Sequence, residues 1–199
     1  MDTLFTDALR QLLGNACSTD TVRAIERGEP HAALWQTIEA SGFADAMRSE
    51  AYGGAGLSLD DAIDLIGLCG EFALPVPLAD TLLARALLDM AGIEPPTGAI
   101  VLATAQQQPD GSWICERVRS ARTADHVLAV IDGATALLPV DAAQSQPAAF
   151  VLDARLHWPA DVVGRGMLRP AQSSKTLSSR DALRHIEALL CAALISGAL

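Results

Sequence analysis

Hydrophobic residues in the first half of the chain recur three and four positions apart, which is the spacing of helices with one buried face. The spacing predicts four helices, at about 4–13, 30–41, 58–74 and 78–91. Helix-breaking residues mark their ends: Gly14-Asn15, Gly42, Pro75 with Pro77, and Gly92. Ser58, followed three residues later by Asp61, predicts an N-cap with an acidic first turn.

The pattern changes after the segment 94–98, Glu-Pro-Pro-Thr-Gly, which is typical of a linker. Short apolar runs then predict strands at 100–103, 113–114, 126–131, 136–140 and 150–152. Asp132-Gly133 supplies the positive φ of a tight hairpin turn. We therefore expect an α+β fold, with a helical domain at 1–94, a small antiparallel β-sheet or barrel domain at 98–172, and a C-terminal helix at 179–199.

The C-terminal helix begins at about Arg180, after a Ser/Thr-rich link at 173–179. Residues 188–199 contain no charged side chain, so we expect the apolar side chains along this segment to be buried against another protein surface. The apolar face of the helix could be buried by self-association, by a longer paralogue, or by residues 1–92 if the helix folds back onto them.

Composition and charge narrow the class of protein. Half of the 199 residues are hydrophobic and 19% are charged, which argues against disorder. The net charge of −10 and the single lysine, Lys175, argue against nucleic acid as a partner. The sequence shows neither a membrane-spanning run nor a signal peptide, so we expect a cytoplasmic protein with no membrane partner.

Candidate chemistry is sparse in the sequence. The four histidines are scattered, and Asp60, Asp61 and Asp64 are explained by the start of a helix. The four cysteines are far apart, and we interpret them as buried thiols. Three glycines in the loop 50–58, at positions 53, 54 and 56, are expected to be structural, because glycine permits close approach of backbones.

That loop, Glu-Ala-Tyr-Gly-Gly-Ala-Gly-Leu-Ser, resembles the E-x-x-G-G-x-G-L turn in the N-terminal helical domain of acyl-CoA dehydrogenases. Residues 68–78 are similar to the E-E-L-G…A-P-V-P-L stretch of the same family. Residues 81–92 fit its following helix, 113–131 its middle-domain strands, and 181–199 the first helix of its C-terminal domain. The resemblance thus extends along nearly the whole chain in the family's order.

The resemblance implies a flavoprotein with FAD and an acyl-CoA substrate. In the family, the flavin lies between the β-barrel and the C-terminal helices, partly against a neighbouring subunit. A carboxylate removes the α-proton of the thioester, and the flavin accepts the β-hydride. We therefore expect a homo-oligomer, or a hetero-oligomer with another acyl-CoA dehydrogenase subunit.

The chain departs from the family's pattern at the flavin segments. Leu-Ala-Thr-Ala-Gln at 102–106 replaces the family's T-E-P-x-x-G-S-D, and only Thr104 keeps a matching type. Arg119 and Ser120 take the place of the W-I-[ST] segment, in the register that also aligns the strand at 127–131. The resemblance therefore implies Thr104, Arg119 and Ser120 as cofactor-binding residues. It implies no catalytic base, because the chain ends where the C-terminal domain begins.

Three hypotheses follow. The chain belongs to a flavin-dependent acyl-CoA dehydrogenase whose base and acyl pocket come from a longer native chain or from a partner. Alternatively, it is a non-catalytic structural subunit of a hetero-oligomeric dehydrogenase, or a binding module unrelated to flavin.

Overall fold

Seven helices and seven strands make up the part of the chain that the computed structural model describes, residues 3–168 and 179–199. The helices are α1 (Thr3–Ala16), α2 (Thr19–Glu26), α3 (Ala32–Ala40), α4 (Leu59–Glu71), α5 (Leu78–Met90), α6 (Ala160–Gly166) and α7 (Arg180–Ala198). The strands are β1 (Ile100–Thr104), β2 (Gln106–Gln107), β3 (Trp113–Val118), β4 (His126–Ile131), β5 (Ala134–Pro139), β6 (Gln144–Pro147) and β7 (Ala154–Trp158). The α+β class is confirmed.

Local capping chemistry explains where the helices begin and end. The Ser58 hydroxyl accepts a hydrogen bond from the Asp61 N–H, and the Asp61 carboxylate accepts one from the Ser58 N–H, which forms a complete capping box at α4. This hydrogen bonding lowers the pKa of Asp61. The helix α4 ends at Glu71, before the two prolines that were expected to end it, because Ala73 adopts the left-handed conformation with φ of 44°.

Other boundaries differ from the sequence-based expectation. The helix α1 continues through Gly14 and Asn15 to Ala16, since an isolated glycine weakens a helix without ending it. The short helices α2 and α6 were not predicted. Residues 150–152 are not a strand, and the side chains of Phe150 and Val151 are exposed.

The strands form two sheets. One has the order β1-β4-β5, and the other has the order β2-β3-β7-β6. The pairing of β1 with β4 is parallel, which corrects the expectation of a purely antiparallel domain. The β4–β5 pair is the predicted hairpin, and Gly133 at its turn has φ of 84°. Buried side chains between the two sheets, among them Trp113, Trp158 and Leu138, form a second core.

The main core joins all three parts of the chain. It includes side chains from the N-terminal helices, from β1 and β4, and from α7, such as Leu65, Ile100 and Leu190. The helix α7 therefore folds back onto residues 1–92, which is one of the three ways in which its apolar face was expected to be buried. The domain boundaries themselves stay a prediction, although the change from helices to strands falls between Met90 and Ile100.

Contact between α4 and α7 is close enough to require glycine. A Cβ atom added at Gly70 would lie 2.8 Å from the carbonyl carbon of Leu194 and closer still to its oxygen. Ile195 and Leu199 remain exposed on the far side of α7.

Candidate functional site

Two of the three residues implied by the family resemblance lie at a junction of helices and sheet. Arg119 and Ser120 follow the end of β3, where the chain leaves the sheet towards α5 and α7. Thr104 is the last residue of β1, half-buried and paired in register with Val130 of β4. In the described part of the chain, no hydrogen bond or ion pair joins Thr104 to Arg119 or Ser120.

Arg119 is the centre of a polar cluster that sequence reasoning did not find. One guanidinium nitrogen, Nη2, lies 3.2 Å from each carboxylate oxygen of Asp80, in the first turn of α5. The other, Nη1, donates a hydrogen bond to Sγ of Cys191 on α7, also at 3.2 Å. Arg119 thus connects the β-domain segment to α5 and to α7.

Burial sets the electrostatics of this cluster. It raises the pKa of Asp80, and the neighbouring Arg119 offsets only part of that effect. Burial opposes the charge on Arg119, but the combined effect of Asp80, Cys191 and Glu187 outweighs it, so the pKa of the guanidinium is raised. Burial also raises the pKa of Glu187, one turn before Cys191 on α7, again with partial compensation from Arg119. One arginine therefore faces two partly or fully desolvated carboxyl groups.

The backbone beside Arg119 has an unusual conformation. Ser120 has φ of 50° and ψ of 24°, in the left-handed region that is costly for residues other than glycine. Its N–H donates to Oδ1 of Asp153 at 3.2 Å, and its carbonyl accepts from the Thr123 hydroxyl at 3.2 Å. Asp153 itself is 7% exposed.

An apolar cavity of about 450 Å³ lies between α5, α7 and the segment that precedes α4. Its walls include Met47, Leu57, Leu83, Leu87, Ile186 and Leu189. The volume falls within the range of small-molecule sites. Because α5 and α7 also carry Asp80 and Glu187, the same two helices form the walls of the cavity and two sides of the polar cluster.

The glycine-rich loop has geometry that supports a structural role. Gly53 and Gly56 have φ of 84° and 64°, and a Cβ atom at Gly54 would lie 2.6 Å from Cβ of Arg48. Positive φ and close backbone approach both exclude larger residues there. That the loop binds no ligand stays a prediction, since Gly53 and Gly54 border a second cavity of about 400 Å³.

The cysteine prediction is correct for three of the four thiols. Cys17, Cys69 and Cys115 are buried and unpaired, and burial raises the pKa of Cys69 and of Cys115 to about 12. Cys191 is exposed, contrary to expectation. A helical wheel of α7 could have shown this, because Leu183, Leu190 and Ala193 define the buried face and Cys191 lies off it.

Solved structures show which fold this is. A steroid ACAD (acyl-CoA dehydrogenase), the G363A variant of Tcur3481-Tcur3483, superposes with a TM-score of 0.67 and 22% identity, over 98% of this chain and 61% of that one. The ChsE4-ChsE5 complex from Mycobacterium tuberculosis gives a TM-score of 0.63 and 14% identity, over 98% and 63%. TdsC from Paenibacillus sp. A11-2, in complex with FMN and indole, gives 0.53 and 18%, over 98% and 63%.

The chain therefore has an acyl-CoA dehydrogenase-like fold, and it spans about three fifths of the length of these structures. No protein-family model matches its sequence, and no curated protein does. No helix in the described ranges is both long and apolar enough to cross a bilayer.

Proposed function

We propose that this chain is a flavin-binding subunit of the acyl-CoA dehydrogenase type, acting in α,β-dehydrogenation of an acyl-CoA thioester. The observation that carries the proposal is the junction of α5, β3 and α7, on a fold shared with steroid acyl-CoA dehydrogenase complexes along 98% of the chain. We assign no catalytic base to the described residues.

Thr104 at the end of β1 and the two junction residues, Arg119 and Ser120, are our proposed contacts to the uncharged, polar edge of a flavin ring. The hydroxyls of Thr104 and Ser120 are half-buried and make no hydrogen bond to another described residue, so both are available to a ligand. Arg119 adds an N–H donor, while Asp80 neutralises its charge. Such a flavin, FAD in this proposal, would supply the hydride acceptor.

The apolar cavity is our proposed site for the acyl group. Its lining is mainly apolar, with Ser49 and Asp89 as the two polar residues, which suits a hydrocarbon skeleton better than an anionic group. The helices α5 and α7 would then hold the acyl group and exclude water from it, while Arg119 and Ser120 face the cofactor.

A second function, that of a non-catalytic structural subunit in a hetero-oligomer, is favoured by one specific observation. The guanidinium of Arg119 is already engaged by Asp80 and Cys191, so it has less capacity to hold a ligand than a free arginine has. In this alternative, the cluster fixes α7 against the β domain and presents a formed surface to a catalytic partner.

Visible absorption of the purified protein tests both functions. The chain is purified alone and after co-expression with a full-length acyl-CoA dehydrogenase subunit, and released flavin is quantified per chain. Flavin bound by the chain alone supports the first function, and flavin bound only in the co-purified complex supports the second. A colourless protein that forms no complex contradicts both.

Hydroxyl deletions test the proposed contacts. We expect Thr104→Val and Ser120→Ala to lower flavin occupancy, whereas Thr37→Val, which removes an exposed hydroxyl on α3, leaves it unchanged. Equal occupancy in all three variants would show that the flavin contacts lie elsewhere.

A further inference from the structure

The turn that follows β3 is held by a carboxylate from a distant part of the chain. Ser120 adopts a left-handed conformation that an L-amino acid rarely takes, and such conformations persist only where the surroundings enforce them. The N–H of Ser120 donates to Oδ1 of Asp153, which lies just before β7 and is almost fully buried.

The direction of Arg119 depends on this turn. Val118 is the last residue of β3 and points into the core between the sheets, and the chain reverses at Ser120. Arg119 is therefore directed away from the β domain, where its guanidinium meets Asp80 on α5 and Cys191 on α7. The Ser120 N–H belongs to the peptide group that joins Arg119 to Ser120, so its hydrogen bond to Asp153 fixes the backbone from which the Arg119 side chain extends.

We propose that Asp153 is a positioning residue that acts through Ser120 to hold Arg119 at the junction. The inference deepens the proposed function, since Arg119 and Ser120 are the residues assigned there to the flavin. Asp153 does not itself reach Asp80 or α7 through any contact among the described residues.

A competing role for Asp153 must be separated from this one. Its other carboxylate oxygen, Oδ2, lies 3.8 Å from Nε of Arg117, whose side chain is 60% exposed. At this distance and exposure, the ion pair contributes little. An asparagine at 153 keeps an oxygen acceptor for the Ser120 N–H but loses the charge, so it distinguishes the two roles.

Nitrogen-15 NMR of arginine side chains reports whether the Arg119 guanidinium is held by hydrogen bonds, and it requires no cofactor. Guanidinium groups held by hydrogen bonds give resolved N–H signals, and freely rotating ones do not. The Arg119→Lys variant assigns the signal. We expect Asp153→Ala to abolish it, Asp153→Asn to retain it, and Asp161→Ala, a change at an exposed carboxylate of α6, to leave it unchanged.

Glycine at position 120 provides the decisive rescue. Because glycine adopts positive φ without strain, the double variant Asp153→Ala with Ser120→Gly should regain the Arg119 signal. If Asp153→Ala alone fails to fold, recovery of a folded protein with the signal in the double variant supports the proposal. The proposal is overturned if Asp153→Ala keeps the signal, if Asp153→Asn loses it, or if glycine does not rescue.

Flavin content is measured on the same variants, because it distinguishes the positioning role of Asp153 from the assignment of Arg119 to the flavin. Loss of the Arg119 signal with unchanged flavin content would support the role of Asp153 and contradict the assignment of Arg119 to the flavin. Loss of flavin with an intact Arg119 signal would contradict the role of Asp153.

Discussion

The contact between α4 and α7 predicts opposite effects for two glycines on the same helix. Gly67 and Gly70 are both on the side of α4 that faces α7, but a Cβ atom at Gly67 would meet only the Ala193 carbonyl oxygen, at 3.9 Å. At Gly70, the Cβ atom would lie 2.8 Å from the carbonyl carbon of Leu194 and 3.0 Å from its Cα atom. Because these are backbone atoms, no change of rotamer relieves the clash.

The size of the effect follows from that geometry. Carbon atoms pack at about 3.5 to 4.0 Å, so Gly70→Ala forces α7 to retreat by about 1 Å. Overpacking of this kind costs about 1–3 kcal/mol, whereas alanine in place of glycine within a helix gains up to about 1 kcal/mol. We expect a net loss of about 1–2 kcal/mol for Gly70→Ala and a gain of about 0.5–1 kcal/mol for Gly67→Ala.

Thermal and urea denaturation measure the difference. For a chain of this length, a change of 1 kcal/mol in the free energy of unfolding shifts Tm by about 2–4 °C, so Tm should fall by about 2–8 °C in Gly70→Ala and rise slightly in Gly67→Ala. Hydrogen exchange at Leu190 and Ala193, which are buried on α7, should accelerate only in Gly70→Ala. If both variants gain stability equally, α7 does not lie against α4 and this account of the fold is wrong.

Three further outcomes test the site and the local structure. Because burial raises the pKa of Glu187, its charged form destabilises the folded protein at neutral pH, and Glu187→Gln should raise Tm there. The gain should vanish as the pH falls below about 4, where the carboxyl becomes protonated in the unfolded state as well, and a gain independent of pH would contradict this. Ser58→Ala removes the capping box and should cost about 1 kcal/mol in urea denaturation, and an unchanged midpoint would show that the cap contributes nothing. Alkylation followed by mass spectrometry should modify only Cys191 in the folded protein and all four cysteines after unfolding; rapid modification of a second thiol in the folded protein would contradict the burial described above.

Local interactions, which can be recognised in the sequence, specify several secondary-structure elements of this protein. The Ser58 capping box, the Asp132-Gly133 turn and the start of α5 after Pro77 all depend on hydrogen bonds or φ preferences within a few residues. These interactions join residues that are close in sequence, so their positions could be predicted without knowledge of the rest of the chain. The order of segments is also visible in the sequence: the change from helical spacing to short apolar runs predicted the α+β fold, and the same order showed the resemblance to acyl-CoA dehydrogenases.

The packing of those elements against one another depends on long-range contacts that the sequence does not reveal. The parallel pairing of β1 with β4, the return of α7 onto α4 and the ion pair between Asp80 and Arg119 each join residues far apart in sequence. Asp80 in particular looks like an ordinary acidic residue in the first turn of a helix, and burial beside Arg119 gives it another role. Such contacts are selected by the burial of apolar surface and by the need to pair every buried charge across the whole fold, and no short stretch of sequence contains that information.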